Sequence, residues 1–130
     1  MSVEDERLLE AARRASQRAY CTYSRFPVGA ALLTVDGRVF EGCNIENAGY
    51  GLTICAERVA VFSAIAAGVH RVCRIAVASP KGDPSRPNTL MPCGACRQVL
   101  AEFAATDLVV LINGIGLVRF ADLFSQPFQL

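Results

Sequence analysis

The 130-residue chain predicts an α/β layered domain built on one mixed sheet. Apolar residues recur at helical spacing in several segments, short β-compatible runs lie between them, and Asp36-Gly37 separates two such runs in the manner of a tight hairpin. Read along the chain, the order is helix, strand, strand, helix, strand, helix, strand, strand.

Leu8, Leu9, Ala12, Ala15 and Ala19, with charges between them, predict an amphipathic helix from Val3 to Ala19 that ends near Tyr20. Val28 to Leu33 and Arg38 to Asn44 read as an antiparallel pair around Asp36-Gly37. Thr53 is placed to cap the next helix. Its apolar positions Ile54, Val59, Ala60, Phe62, Ala64 and Ile65 lie on nearly all sides, which predicts burial, and Gly68 is placed to end it. Ile75 to Ala78 is a short apolar strand, followed by a proline-containing loop from Ser79 to Leu90. Cys93 to Ala105 puts Cys96, Val99, Leu100 and Phe103 on one helical face, and Leu108 to Ile112 is a further strand. Gly114-Ile115-Gly116 marks a turn before a last strand, Leu117 to Phe120, and the tail carries Phe124, Pro127, Phe128 and Leu130.

The length suits a single domain, residues 1–130, with no linker-like stretch inside it. At 52% hydrophobic and 19% charged residues, the chain can bury a substantial core and still leave apolar surface for partner subunits. Thirteen basic residues against twelve acidic ones give a net charge of +1 without a basic run, which argues against nucleic acid and for a small neutral substrate. The charged N-terminal segment lacks a signal-peptide core, and no later run is long enough to span a membrane. A cytoplasmic location is expected. In a reducing compartment clustered cysteines point to metal or catalysis, while the isolated Cys21, Cys43 and Cys73 read as small buried hydrophobes.

Two segments carry the chemistry: Cys55-Ala56-Glu57 and Pro92-Cys93-Gly94-Ala95-Cys96-Arg97. Three thiolates give zinc three ligands and leave its fourth tetrahedral position open, the mark of a catalytic site. Glu57 is near enough to serve that position as a general acid/base. Cys55, Cys93 and Cys96 fall at the starts of two helices, where free N–H groups and the macrodipole favour thiolates. Two other readings fit parts of the pattern. A structural zinc knot would need a fourth ligand, and a thioredoxin-like Cys-x-x-Cys pair would leave Cys55-Ala56-Glu57 unexplained. The single histidine, His70, lies beyond the helix end and reads as a surface or capping residue.

A ligand-x-Glu segment followed by Pro-Cys-x-x-Cys is the established signature of zinc nucleobase deaminases, with Cys here in place of the first His. The chain resembles the small tetrameric cytidine deaminases through Tyr23-Ser24-Arg25-Phe26-Pro27-Val28-Gly29-Ala30, Asn44-Ile45-Glu46-Asn47, Tyr50-Gly51-Leu52-Thr53, Cys55-Ala56-Glu57-Arg58 and Pro92-Cys93-Gly94-Ala95-Cys96-Arg97-Gln98.

The resemblance implies a three-layer α/β/α fold with a central mixed five-stranded sheet. It implies one Zn2+ per subunit on Cys55, Cys93 and Cys96, with water activated there attacking C4 of cytosine while Glu57 shuttles the protons. Cytidine and deoxycytidine would become uridine and deoxyuridine in pyrimidine salvage. Arg58 and Arg97 are expected to donate to the sulfurs and offset the charge of three thiolates. Asn44 and Glu46, two residues apart on one side of a strand, match a ribose-binding pair; the residues alone read as a polar strand edge. Phe26 matches an aromatic against the pyrimidine, although a lone Phe before Pro reads by default as core. The Ala56 N–H and Met91 carbonyl match groups that read the base edge, and Met91 stands where Ser or Thr is commoner. Tyr50 and Phe128 match aromatics that reach a neighbouring subunit's site in a homotetramer; Phe128 fits equally a hydrophobic seam. The alternative is a deaminase of a cytosine nucleoside antibiotic of the blasticidin S type.

Overall fold

Residues 1–130 are described by a computed structural model. Ser2 starts the first helix, α1 (Val3–Ser16), through a reciprocal cap: the Asp5 N–H donates to Ser2 Oγ at 3.1 Å and the Ser2 N–H donates to Asp5 Oδ2 at 3.2 Å. Leu8, Leu9, Ala12 and Ala15 form its buried stripe, and each buried leucine contributes about 2 kcal/mol. The helix ends at Ser16, short of the expected Ala19. The chain has turned by then, because the Tyr20 N–H donates to the Asn44 carbonyl at 3.0 Å and Tyr20 bridges Ile45.

Five strands form one sheet: β1 (Gly29–Thr34), β2 (Val39–Cys43), β3 (Val72–Ala78), β4 (Ala104–Ile112) and β5 (Gly116–Arg119), in the order β2-β1-β3-β4-β5. Every neighbouring pair is antiparallel except β3 and β4. The expected hairpin closes through Gly37 at φ 87°, with the Thr34 N–H donating to the Arg38 carbonyl at 2.9 Å.

Alternation along the strands divides the core. Ala31, Ala76 and Leu111 face α1, while Ala30, Leu32, Ile75 and Val77 face α2 (Ala56–Ala66) and α3 (Gly94–Phe103). The result is the expected three-layer α/β/α arrangement. Gly42 lets α2 approach β2 closely: a Cβ there would stand 2.5 Å from both the Ala56 carbonyl oxygen and the Ala60 nitrogen. Gly29 does the same for α1, where a Cβ would fall 1.9 Å from the Ala12 oxygen.

Several boundaries and environments differ from those expected. The N-cap of α2 is Cys55, because the Thr53 hydroxyl is occupied as acceptor for the Asn47 N–H at 3.1 Å. Phe62 on α2 is 45% exposed, so that helix has one open apolar flank. The sheet extends beyond the apolar runs: β3 begins at Val72, and α3 passes directly into β4 at Ala104, which pairs with Val72 across an irregularity that includes Asp107 at φ 65°. Phe120 belongs to a short helix, α4 (Phe120–Leu123), and not to the last strand. Cys21, Cys43 and Cys73 are half-buried, not core residues, and His70 is exposed as expected.

Candidate active site

α2 follows β2, α3 follows β3, and both helices start at the same end of the sheet. Cys55 is the N-cap of α2, Cys93 the N-cap of α3, and Cys96 lies in the first turn of α3. Their Sγ atoms all lie within 4.8 Å of one another, with 3.7 Å between Cys55 and Cys93 and 3.4 Å between Cys93 and Cys96. Zinc–sulfur bonds of about 2.3 Å at tetrahedral angles would set sulfurs about 3.8 Å apart, so the donor set fits a zinc ion. All six cysteines are free thiols.

The protein's own electrostatics favour a thiolate at Cys55. Cys96 and then Arg58 hold the Cys55 thiol well below the ordinary range, while the same partnership and burial push Cys96 up. Arg58 Nη2 donates to Cys55 Sγ at 3.4 Å, and its buried Nε has no protein partner. Arg97, expected at the sulfurs, points elsewhere: its Nε donates to the Pro92 carbonyl at 2.8 Å and its Nη1 to the Leu123 carbonyl at 2.7 Å. One residue beyond Cys96 on the helix, its side chain is turned toward α4 by these two acceptors.

Glu57 follows Ala56 in the first turn of α2 and is only 4% exposed. Burial, with the nearby Cys55 charge, pushes its carboxyl up to about 7. A bound cation beside it opposes that rise. Such a carboxyl is poised to accept and return a proton near neutrality.

A cavity of about 260 Å³ lies against the cluster and brings together Phe26, Asn44, Cys55, Ala56, Glu57, Met91 and Cys93. Asn44 also braces the wall. Its Oδ1 accepts from the Val28 N–H at 2.8 Å and its Nδ2 donates to the Phe26 carbonyl at 2.9 Å, leaving one donor and one lone pair for a ligand. Glu46 is not on that wall. β2 ends at Cys43, so Asn44 and Glu46 do not share a strand face; Glu46 accepts from the Tyr23 N–H at 2.9 Å, the Ser24 N–H at 3.0 Å and the Ser24 hydroxyl. It thereby fixes the segment whose Ser24 does line the cavity.

Tyr50 and Phe128 stand apart from this chain's cavity, 94% and 71% exposed. The Phe128 backbone is held by Gln98, whose Nε2 donates to the Phe128 carbonyl at 3.1 Å and whose Oε1 accepts the Phe128 N–H at 3.2 Å. Sequence reading gave no role to Ser24, Ser79 or Thr89, which line the cavity. Single hydroxyls carry no periodic signal; Ser24 had only its place beside Phe26. Nor did it find Lys81, whose Nζ donates to the Arg25 carbonyl at 3.0 Å and ties together two loops that each contribute residues to the cavity.

The family model described as "Cytidine and deoxycytidylate deaminase zinc-binding region" matches residues 2–112. Cytidine deaminase of Halalkalibacterium halodurans is 49% identical over 113 residues, 87% of this chain and 82% of that one. Cytidine deaminase of Mycobacterium tuberculosis is 46% identical over 119 residues, 92% and 85% of the two chains. Blasticidin-S deaminase of Bacillus cereus is 32% identical over 119 residues, 89% and 84%. The crystal structure of cytidine deaminase from Burkholderia pseudomallei superimposes with a TM-score of 0.84 at 44% identity, covering 98% of this chain and 100% of that one. No helix is long and apolar enough to cross a membrane.

Proposed function

Because the chain belongs to the cytidine and deoxycytidylate deaminase family, we propose that it hydrolyses cytidine and deoxycytidine to uridine and deoxyuridine, releasing ammonia. The observation that carries this reading is the buried Glu57 in one cavity with two members of a three-thiolate cluster. Cys55, Cys93 and Cys96 would hold the zinc, which would acidify a water molecule and make it nucleophilic near neutral pH.

The protein's own groups do the rest. Glu57 accepts a proton from the attacking water, places it on ring N3, and carries a second proton to the amino group leaving C4. The Ala56 N–H, among the free donors at the start of α2, and the Met91 carbonyl hold the base edge. The Phe26 ring covers the pyrimidine, and Asn44 with Glu46 holds the ribose, Glu46 through the Ser24 segment it fixes. Arg58 offsets the thiolate charge.

The large exposed aromatics Tyr50 and Phe128 support a site wall shared with another subunit. Tyr50 and Phe128 supply it in a homotetramer, and the groove of Ile45, Leu52, Ile54 and Phe62 gives the apolar surface such an assembly needs. The chain is one domain, serves pyrimidine salvage, and works in the cytoplasm, where its thiols stay reduced. A cytosine nucleoside antibiotic is the second reading, supported by the 32% relative. An ultraviolet assay of cytidine, deoxycytidine, cytosine, CMP and blasticidin S with zinc quantified tests both; fully loaded protein that leaves cytidine unchanged overturns the first.

A further inference from the structure

We propose that Arg97 is a positioning residue for the metal ligand Cys93, with the carbonyl of Leu123 as its buttress. The inference rests on the zinc reading above and deepens it.

Of the three ligands, Cys93 has the weakest local support. Cys55 starts a helix pressed backbone to backbone on β2, and Cys96 is fully buried inside α3. Cys93 is exposed, and the chain enters it from the irregular segment that follows the short turn Pro87–Thr89. The Pro92 ring is fully buried, so the carbonyl before Cys93 needs a protein partner. Arg97 Nε supplies it at 2.8 Å, while the Arg97 backbone N–H donates to the Cys93 carbonyl at 3.0 Å. One residue thus grips the peptide units on both sides of the Cys93 Cα. Its guanidinium is itself fixed by the Leu123 carbonyl at 2.7 Å, an end-of-helix acceptor of α4 with no intrahelical partner. The rigid guanidinium fork aims one N–H at each of the two carbonyls. Held this way, the Cys93 Sγ keeps its place opposite Cys55; released, it samples rotamers and backbone positions that open the thiolate triangle.

The test reads the metal, without nucleoside. Zinc affinity is measured by competition with a chromophoric chelator, and the cobalt(II)-substituted protein is scanned for its thiolate charge-transfer band. Arg97→Ala is expected to bind zinc about 10- to 100-fold more weakly with an altered band, at native circular dichroism. Arg97→Lys, which keeps the charge and donors but not the fixed fork, recovers part of the loss, and this variant decides the matter if Arg97→Ala does not fold. Gln98→Ala, which frees only the Phe128 backbone, is expected to keep the parent's affinity. Parent-like affinity and spectrum in the Arg97 variants overturn the assignment, as does an equal loss in Gln98→Ala. Protein that holds zinc tightly yet leaves cytidine unchanged fails the deaminase reading instead, so the two failures are distinct.

Discussion

Arg58 places Nη2 3.4 Å from Cys55 Sγ, and it is the guanidinium that serves the thiolate cluster, since Arg97 is spent on two carbonyls. Three thiolates on a divalent cation leave a net negative charge, which makes bound water a weaker acid. Arg58→Gln is therefore expected to lower kcat by about 10- to 100-fold at equal zinc content. Steady-state kinetics on metal-quantified protein checks it, and an unchanged kcat would assign Arg58 to packing alone.

Glu57 is the only carboxyl in the cavity's wall. Glu57→Ala is expected to retain zinc and fold while losing at least the 10²- to 10⁴-fold typical of a general acid/base, because one residue serves each proton transfer. Near-normal turnover at full zinc occupancy would refute that role.

Removing the Glu46 carboxylate eliminates charged hydrogen bonds worth about 1.5–3 kcal/mol each, so Glu46→Ala is expected to raise KM for cytidine about 10- to 100-fold. Zinc content should not change. Unaltered cytidine kinetics would favour the antibiotic-type substrate.

The Ser24 hydroxyl, then the Ser24 and Tyr23 N–H groups, hold the Glu46 carboxyl below its ordinary 4.5. A carboxyl lowered by folding adds stability above its unfolded pKa and loses it as pH falls through the folded value. Ser24→Ala removes the largest of these contacts, so Glu46 is expected to protonate at higher pH, with the acid transition of its loop moving up toward 4.5. A carbon NMR titration of the Glu46 carboxyl measures this, and an unmoved midpoint would show that the Ser24 contact does not form in solution.

Adding a methyl group at either close approach separates stability from chemistry. Gly29→Ala and Gly42→Ala both overpack a helix on the sheet and should cost about 1–3 kcal/mol or more in urea unfolding. Gly42→Ala displaces the first turn of α2 and should also lose zinc; Gly29→Ala, on the α1 side, should keep it. Equal zinc contents would mean that Cys55 does not depend on the seating of α2.

What was legible in the sequence follows the strength of each local signal. The Asp36-Gly37 turn, the stripe on α1 and the cysteine spacings are short-range, and the structure reproduces them. The missed features are settled at long range or by unusual chemistry. Capping rules look for an oxygen, so Thr53 masked a cysteine N-cap. Residues 104–107 have no apolar run and became strand by pairing with Val72. The four residues of α4 are too few for periodicity, and without α4 nothing in the sequence shows why Arg97 turns from the sulfurs to Leu123. Asn44 and Glu46 looked like a strand pair because the chain bends only after Cys43.

Helices α2 and α3 each carry the chain back so that the next strand, β3 or β4, runs the same way as the one before the helix, with antiparallel β1 lying between β2 and β3. Had either connection been a hairpin, no helix would return along the sheet and no second helix would start beside the first. Cysteines at opposite ends of β3 would be separated by seven residues of strand, roughly 23 Å, several times the span of any metal. The coordination geometry is thus a property of chain connectivity before it is a property of any cysteine.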